Sequence, residues 1–202
     1  MSEIPLDLCY EPVMPADRSP GIGCIGAGFI MADCHLVAYR NAGFNPVAIA
    51  NRTRSKAEEV AERHGIEKVY EDYEELLADP AVEVVDIALP PDLQRAVVDR
   101  ICEGYAGKIR GILAQKPLAM NYADARHIVE ACTAAGITLA VNQNMRYDQS
   151  IRALKDLLGR GLLGEPVLAT IDMRAIPHWQ DWAIPYGKLS YYIMSIHHID
   201  TF

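Results

Sequence analysis

The chain has 202 residues, of which 50% are apolar and 23% are charged, as is typical of globular proteins. Its formal net charge of -8 argues against the basic surface that nucleic-acid binding needs, and no apolar run reaches the roughly 18 residues of a membrane span. The five irregularly spaced cysteines indicate reduced thiols of a cytoplasmic protein, and they favour neither a disulfide framework nor a metal site.

Residues 1–20 contain four prolines and no periodic pattern, which predicts an extended arm. From Gly21 onward, apolar strands alternate with helices about six times. The predicted strands are GIGCI, NPVAIAN, KVY, EVVDIALP, KIRGILAQKP and ITLAVNQN. The predicted helices are FIMADCHLVAYRNAG, RSKAEEVAERHG, DYEELLADP, PDLQRAVVDRICEG and NYADARHIVEACTAAG. Because the strands are apolar without strict alternation, the pattern predicts an α/β fold, a doubly wound Rossmann-like parallel sheet over residues 21–142.

Three of the helices carry start signals. Ser55 and Glu58 have the spacing of a capping box. Pro91 suits the first position of a helix, and Asn121 is a good N-cap residue. The helix that follows Asn121 is expected to bury one apolar stripe, formed by Ala125, Ile128, Val129 and Cys132.

The segment SPGIGCIGAGFIM contains two overlapping versions of the glycine-rich phosphate-binding motif. The version that begins at Gly21 would need its strand in PADRSP, where prolines remove hydrogen-bond donors. The version that begins at Gly26 follows the strand GIGCI, but Met31 replaces its third glycine. We therefore expect Gly26 to make the tight turn and Gly28 to admit a pyrophosphate. The substitution at Met31 is expected to alter packing more than phosphate contact.

The end of the second strand indicates which nicotinamide cofactor is preferred. An Asp or Glu at this point accepts hydrogen bonds from the ribose of NAD. The stretch Asn51–Ser55 has no carboxylate, and it offers Arg52 and Arg54 to a 2′-phosphate. The sequence therefore favours NADP over NAD, although arginines at a solvated helix start would give the same pattern.

The residues from Gly21 to the end of the chain resemble the glucose–fructose oxidoreductase, inositol dehydrogenase and rhizopine-catabolism (Gfo/Idh/MocA) family of NAD(P)-dependent oxidoreductases. The resemblance is carried by IGCIGAGFI, by YEDYEELLADPAVEVVDIALPPDLQ with its proline turn, and by AQKPLA, which is similar to the family's Glu-Lys-Pro segment. It continues through NQNMRYDQSIRALKDLLGRGLLGEPVLATIDMR and SIHHIDTF, where a histidine precedes an aspartate by three residues.

This resemblance implies a set of site residues. Lys116 and His197 would be catalytic. On a helix, His198 would point about 100° away from His197, so it is expected to be structural. The residues implied for the cofactor are Gly26, Gly28, Phe29, Ile30, Asn51, Arg52, Arg54, Leu89, Pro90, Gln94, Gln115, Lys116 and Asn144. The residues implied for the substrate are Lys116, Asn144, His197 and Asp200. On one helical face, Ile193, His197 and Asp200 would lie together, so that Asp200 could orient the imidazole.

Three positions depart from the pattern of the family. Gln115 stands where the family has glutamate, Gln94 where it often has histidine, and Ile193 where it commonly has aspartate. The lysine and the histidine are retained, so the resemblance implies hydride transfer between nicotinamide and a secondary alcohol of a sugar, polyol or cyclitol. Two alternatives stay open, namely a dinucleotide-binding regulator without activity and a lyase or glycosidase that recycles bound NAD.

Residues 143–202 are expected to begin an α+β substrate domain. The segment EPVLATIDMRA is predicted to be the first strand of its antiparallel sheet. A single strand cannot bury a core, so we expect either a fragment of a longer polypeptide or an edge that another chain completes. Through that sheet the complete domain would form a homo-oligomer.

Overall fold

The computed structural model describes residues 7–174, 181–187 and 194–202. These residues divide into two compact units. The first is Pro15–Asn142, and the second combines Met1–Met14 with Gln143–Phe202.

The larger unit is built on six parallel strands in the order β3-β2-β1-β4-β5-β6. Their bounds are β1 Gly21–Ile25, β2 Asn45–Ala50, β3 Lys68–Tyr70, β4 Val84–Ile87, β5 Gly111–Ala114 and β6 Thr138–Val141. This order reverses direction between β1 and β4, where open α/β sheets bind their ligands. The predicted Rossmann-like sheet is confirmed.

Five helices connect these strands. They are α1 Leu36–Ala42, which continues a π-helical turn over Ile30–His35, and α2 Arg54–His64, α3 Tyr73–Ala78, α4 Pro91–Gly104 and α5 Tyr122–Ala135. Apolar side chains of β4 and β5 pack against α4 and α5 on one face, and those of β1 and β2 pack against α1 and α2 on the other. Helices thus cover both faces of the sheet, which explains why most residues of its strands are apolar on both faces.

Two of the predicted helix starts are confirmed and one is wrong. Pro91 occupies the first position of α4, and the side chain of Asn121 accepts the backbone N–H of Asp124. Ser55 is not an N-cap, because α2 already begins at Arg54 and Thr53 takes the N-cap position.

The predicted apolar stripe of α5 is only partly buried. Ile128 and Cys132 are in the core, whereas Val129 is 48% exposed. The helix turns about 100° per residue, so Val129 points beside the stripe rather than along it. The prediction was therefore wrong for this one residue.

The first two glycines of the glycine-rich segment serve packing. A Cβ atom at Gly21 would lie 1.8 Å from the carbonyl oxygen of Ala81, and one at Gly23 would lie 2.6 Å from a methyl carbon of Leu76. Because real Cβ atoms do not approach that closely, β1 can lie against α3 and the α3–β4 connection only with glycine at these positions. The glycines of the motif version that begins at Gly21 are therefore explained by packing, and they need no role in phosphate binding.

The smaller unit contains α6 Gln149–Gly159, α7 Ile196–Thr201 and two 3₁₀ turns, Asn144–Tyr147 and Asp181–Tyr186. Part of the N-terminal arm lies along α6, where Arg152 donates to the carbonyl oxygens of Tyr10 and Glu11. No helix among the described residues is long and apolar enough to cross a membrane.

The predicted strand EPVLATIDMRA is wrong over the residues that the structure describes. Residues 165–174 have no regular secondary structure, and Val167 and Leu168 are 96% and 83% exposed. A strand needs a neighbouring strand to hydrogen-bond, and the described residues of this unit contain none.

Candidate active site

The turn after β1 begins at Gly26, which has a φ of +102°. Its N–H donates to the carbonyl oxygen of Ala50 at 2.8 Å, and a Cβ atom on it would lie 2.6 Å from the carbonyl oxygen of Ala88. Only glycine satisfies both the backbone angle and the close approach. The turn is therefore fixed between the ends of β2 and β4.

Gly28 faces open space, since a Cβ atom there would meet no atom within 4 Å. Phe29 and Ile30 follow it and are 65% and 37% exposed. Met31, at the position of the missing third glycine, is completely buried, and the chain enters its helix through the wider π-helical turn. The side chain of Met31 thus packs in the core, and the space beside Gly28 stays open.

The end of β2 is tied to this turn by Asn51. Its Oδ1 accepts the N–H of Ala27 at 3.3 Å, and its Nδ2 donates to the carbonyl oxygen of Thr53 at 2.9 Å. Arg54 is engaged in an ion pair with Glu58 at 2.8 Å. Arg52 is exposed, and no ion pair of its side chain is found among the described residues. Of the two arginines, Arg52 is the one whose charge is available to a ligand.

Lys116 follows β5 at the carboxyl edge of the sheet, as predicted, and is partly buried. Its backbone N–H donates to Oε1 of Gln115 at 2.8 Å, and the N–H of Gln115 continues the ladder to the carbonyl oxygen of Ile87 at 3.0 Å. Burial lowers the pKa of the Lys116 amine below its ordinary value. A lysine in this state gives up its proton more readily than one on the surface.

The side chain of Gln94 also holds the turn that contains Lys116. It lies on α4, which begins just after the Leu89–Pro90 turn, and its side chain is completely buried. Its Nε2 donates to the carbonyl oxygens of Gln115 and Pro117, each at 2.9 Å. The structure thus brings Gln94, Gln115 and Lys116 together. Contact of Gln94 with a cofactor stays a prediction.

Leu89 and Pro90 form the turn that follows β4. Leu89 packs against the core cluster of β4 and β5, and its methyl carbon would be 3.4 Å from a Cβ atom on Gly26. Pro90 is the N-cap of α4. The turn therefore borders the glycine turn, at the point where the strand order reverses.

The remaining predicted site residues belong to the smaller unit. His197 lies on α7 and is 5% exposed. Both carboxylate oxygens of Asp200 accept hydrogen bonds from Arg146, at 2.7 and 2.8 Å. Asn144 is exposed at the start of a 3₁₀ turn. Ile193 lies outside the described residues, so the predicted shared face of Ile193, His197 and Asp200 stays a prediction.

Sequence reasoning missed a buried polar cluster under the Lys116 turn. His35 lies at the end of the π-helical turn, and its Nδ1 is 2.7 Å from Oδ2 of the completely buried Asp86. Its Nε2 is 2.7 Å from Nδ2 of Asn142 and 3.4 Å from Nε2 of Gln115. The one available signal was Asp86 itself, because a carboxylate inside an apolar strand needs a buried partner.

Comparison with known proteins places this arrangement in a family. Residues 21–143 match the Gfo/Idh/MocA family, described as an oxidoreductase family with an NAD-binding Rossmann fold. The chain belongs to this family. The match covers all six strands of the sheet, so the family's NAD-binding Rossmann fold is the one that the chain has.

Individual relatives agree with this assignment. The chain is 32% identical over 165 residues to 1,5-anhydro-D-fructose reductase of Ensifer adhaerens, a match that covers 80% of the chain and 48% of the relative. An oxidoreductase from Agrobacterium radiobacter, solved with NAD⁺, L-tartaric acid and magnesium, is 33% identical with a TM-score of 0.67, over 73% of the chain and 42% of that protein.

A 3-ketoreductase from Actinomadura kijaniata, solved with TDP-benzene and NADP, is 30% identical with a TM-score of 0.63, over 72% of the chain and 45% of that protein. Relatives with either nicotinamide cofactor therefore resemble this chain. The chain spans about half the length, or less, of the curated relatives that it matches.

Proposed function

We propose that this family member takes part in hydride transfer between a nicotinamide cofactor and a secondary alcohol or ketone of a sugar, polyol or cyclitol. The observation that carries the proposal is the position of Lys116. It sits at the carboxyl end of a parallel strand, its turn is held by the buried amide of Gln94 and the partly buried amide of Gln115, and its pKa is lowered by burial. The sugar reductase among its relatives supports the substrate class.

The residues at the sheet edge fit a dinucleotide. Gly28 leaves the space into which a pyrophosphate would fit, and Asn51 fixes the neighbouring loop. The exposed Arg52 supports a preference for NADP, since a guanidinium pairs well with a 2′-phosphate. When bound, the nicotinamide supplies the carbon that accepts or donates the hydride.

Lys116 would act on the oxygen of the reacting carbon. Its ammonium donates a hydrogen bond that stabilises negative charge on this oxygen, and its lowered pKa suits proton exchange with the hydroxyl. The resemblance also assigns acid–base chemistry to His197 and substrate hydrogen bonds to Asn144 and Asp200. These three roles are proposals, and single alanine variants assayed for turnover would test each one.

Replacement of Lys116 by methionine is the experiment that tests the proposal. In Lys116→Met we expect NADPH to bind as before and turnover with a responsive polyol to fall by about a thousandfold or more. Calorimetric titration measures the binding, and absorbance of NADPH measures the turnover. Lys56→Met, the same change at an exposed lysine of α2, is the matched control. Turnover retained in Lys116→Met would contradict the proposal, and tight NADPH binding without turnover on any polyol would favour a regulator.

Two further proposals concern the cellular location and the oligomeric state of the protein. We infer a cytoplasmic location from the five cysteines, which are all free thiols, and a homo-oligomer from the family resemblance. Light scattering of the purified protein tests the second. A monomer at all concentrations would refute it.

A further inference from the structure

The buried cluster under the Lys116 turn contains one carboxylate with two donors. Asp86 lies in β4 and is completely buried. Its Oδ2 accepts the hydroxyl of Tyr39 at 2.6 Å and faces Nδ1 of His35 at 2.7 Å. Burial, together with the neighbouring Asp86 charge, raises the pKa of Tyr39, so that this hydroxyl stays a donor. Oδ2 already accepts the hydroxyl proton of Tyr39, so the same oxygen is also the acceptor towards His35, and the proton between His35 and Asp86 belongs to Nδ1.

The other ring nitrogen of His35 must then be an acceptor. Oε1 of Gln115 is taken by the N–H of Lys116, so the NH₂ group of Gln115 is the end that faces Nε2 of His35, at 3.4 Å. Nδ2 of Asn142 also faces Nε2, at 2.7 Å. Two N–H donors require a lone pair on Nε2. His35 therefore carries its proton on Nδ1, where Asp86 holds it.

From these contacts we infer that His35 is a positioning residue, whose ring, fixed by Asp86, holds Gln115 and through it the backbone of Lys116. A continuous chain of hydrogen bonds runs from Asp86 through His35 and Gln115 to the N–H of Lys116. It leads from the middle of the sheet to the residue that we propose to be catalytic. The inference rests on the proposed function only for the importance of Lys116; the tautomer of His35 follows from the contacts alone.

The glutamine at position 115 has a purpose in this chain. A glutamate there could not donate to Nε2, so the ring would need a second proton to satisfy it. The departure from the family's Glu-Lys-Pro segment and the buried His35–Asp86 pair thus belong together. Gln94 donates to the carbonyl oxygens of Gln115 and Pro117 in the same turn, so a second set of hydrogen bonds holds it.

The tautomer is measured directly by nitrogen NMR of the full chain with ¹⁵N-labelled histidine, at about pH 8, where imidazoles are neutral. We expect the proton of His35 on Nδ1. His64 and His127 are internal controls, because their Nε2 atoms face the carbonyl oxygen of Ala32 and a carboxylate oxygen of Asp99, each at 2.7 Å, and must carry the proton. A proton on Nε2 of His35, or on both its nitrogens, would overturn the inference.

Two amide substitutions test the two ring nitrogens of His35 separately. Glutamine reaches the place of Nε2, so His35→Gln keeps an acceptor for Gln115. Asparagine reaches the place of Nδ1, so His35→Asn keeps the donor to Asp86 and loses that acceptor. In His35→Asn we expect the Lys116 turn to loosen, water to enter, and the pKa of Lys116 to return towards its ordinary value.

The readout is the rate at which acetic anhydride acetylates Lys116, followed by mass spectrometry across pH. We expect His35→Asn to slow this acetylation about threefold near pH 8, because less of the amine is unprotonated, and His35→Gln to resemble the parent chain. Lys108, whose pKa burial also lowers and which lies away from the hydrogen-bond chain, should react equally in all three. Equal effects in both variants, or a parallel change at Lys108, would show a merely structural role and overturn the inference.

The outcome is independent of the proposed function. If Lys116→Met kept its turnover, the catalytic proposal would fail while the tautomer and the acetylation rates stood. If the proton of His35 were found on Nε2, the positioning inference would fail while Lys116 stayed a candidate catalytic residue.

Discussion

At the scale of single residues, the carboxyl edge of the sheet separates positions that serve the fold from positions that serve a ligand. A Cβ atom on Gly26 would lie 2.6 Å from the carbonyl oxygen of Ala88, whereas one on Gly28 would meet no atom within 4 Å. Arg54 is engaged with Glu58, whereas Arg52 is exposed. Each pair joins two residues of the same type, two apart in the chain, with different surroundings. Such pairs give matched substitutions.

The first such pair is Gly26→Ala and Gly28→Ala. We expect Gly26→Ala to lower the free energy of unfolding by about 1–3 kcal/mol, because its Cβ would meet a carbonyl oxygen 2.6 Å away at a positive φ. Gly28→Ala should leave stability nearly unchanged and weaken NADPH binding at least about tenfold. Denaturant unfolding and calorimetric titration measure the two effects. A stable Gly26→Ala, or a Gly28→Ala that binds normally, would contradict the assignment of these two glycines.

The second pair is Arg52→Ala and Arg54→Ala. We expect Arg52→Ala to weaken binding of NADPH about tenfold and to leave binding of NADH unchanged, because a guanidinium contributes to affinity only where it meets the 2′-phosphate. Arg54→Ala should have a smaller effect, since Glu58 already engages that side chain. The ratio of the two dissociation constants is the measurement. A parent chain that prefers NADH would refute the argument for both arginines.

At the scale of elements, a buried carboxylate joins α3 to β3 and β4. Asp79 follows α3, accepts hydrogen bonds from Lys68 and Tyr70 on β3, and accepts the backbone N–H of Ala81 before β4. Burial raises the pKa of Asp79, but these hydrogen bonds outweigh it, so that its pKa lies below the ordinary value. The ionised form is therefore favoured in the folded state.

Replacement of Asp79 by asparagine should thus cost stability in a way that depends on pH. A carboxyl with a lowered folded-state pKa stabilises the fold above its unfolded pKa of about 4, and this contribution is lost as the pH falls through the folded value. We expect Asp79→Asn to cost about 2 kcal/mol near neutral pH and progressively less in acid. Glu58→Gln, which removes an exposed ion pair, should change stability by less than about 1 kcal/mol. A cost of Asp79→Asn that did not depend on pH would contradict this reading.

The elements themselves were largely predictable from sequence, because most of the strands are short apolar runs between helices, and because Pro91 and Asn121 mark helix starts by local chemistry. Thr53 was missed as the N-cap of α2 because Ser55 and Glu58 mimic a capping box. His35 and Asp86 are 51 residues apart, and no local pattern connects them. Gln115 could be recognised as a departure, but its purpose appears only when the sheet brings His35 beside it. Contacts of this kind depend on tertiary structure.

At the scale of the whole molecule, the cofactor residues are concentrated in one unit. Apart from Asn144, every residue that we assign to the cofactor lies in Pro15–Asn142, which has its own sheet and core clusters. The predicted catalytic His197 belongs to the other unit. Cofactor binding is therefore expected to depend on the larger unit, whereas turnover is expected to need His197 as well as Lys116.

A fragment of residues 15–142 tests that division. We expect it to unfold in one cooperative transition, since it keeps all six strands, and to bind NADPH within about threefold of the full chain, a difference of less than about 1 kcal/mol. It should show no turnover. Thermal unfolding and calorimetric titration are the measurements. A fragment that folds and fails to bind would place an essential cofactor contact in the smaller unit.

The four glycines between positions 21 and 28 also have a consequence for how the segment tolerates variation. Gly21 and Gly23 are restricted by neighbouring atoms, Gly26 by both its backbone angle and its neighbour, and Gly28 by neither. In a saturation library sorted once for protein abundance and once for retention on a nucleotide resin, variants at the first three positions should disappear from both pools. Variants at Gly28 should survive the first sort and be lost in the second. Among these four glycines, Gly28 alone would then report on ligand binding and not on folding.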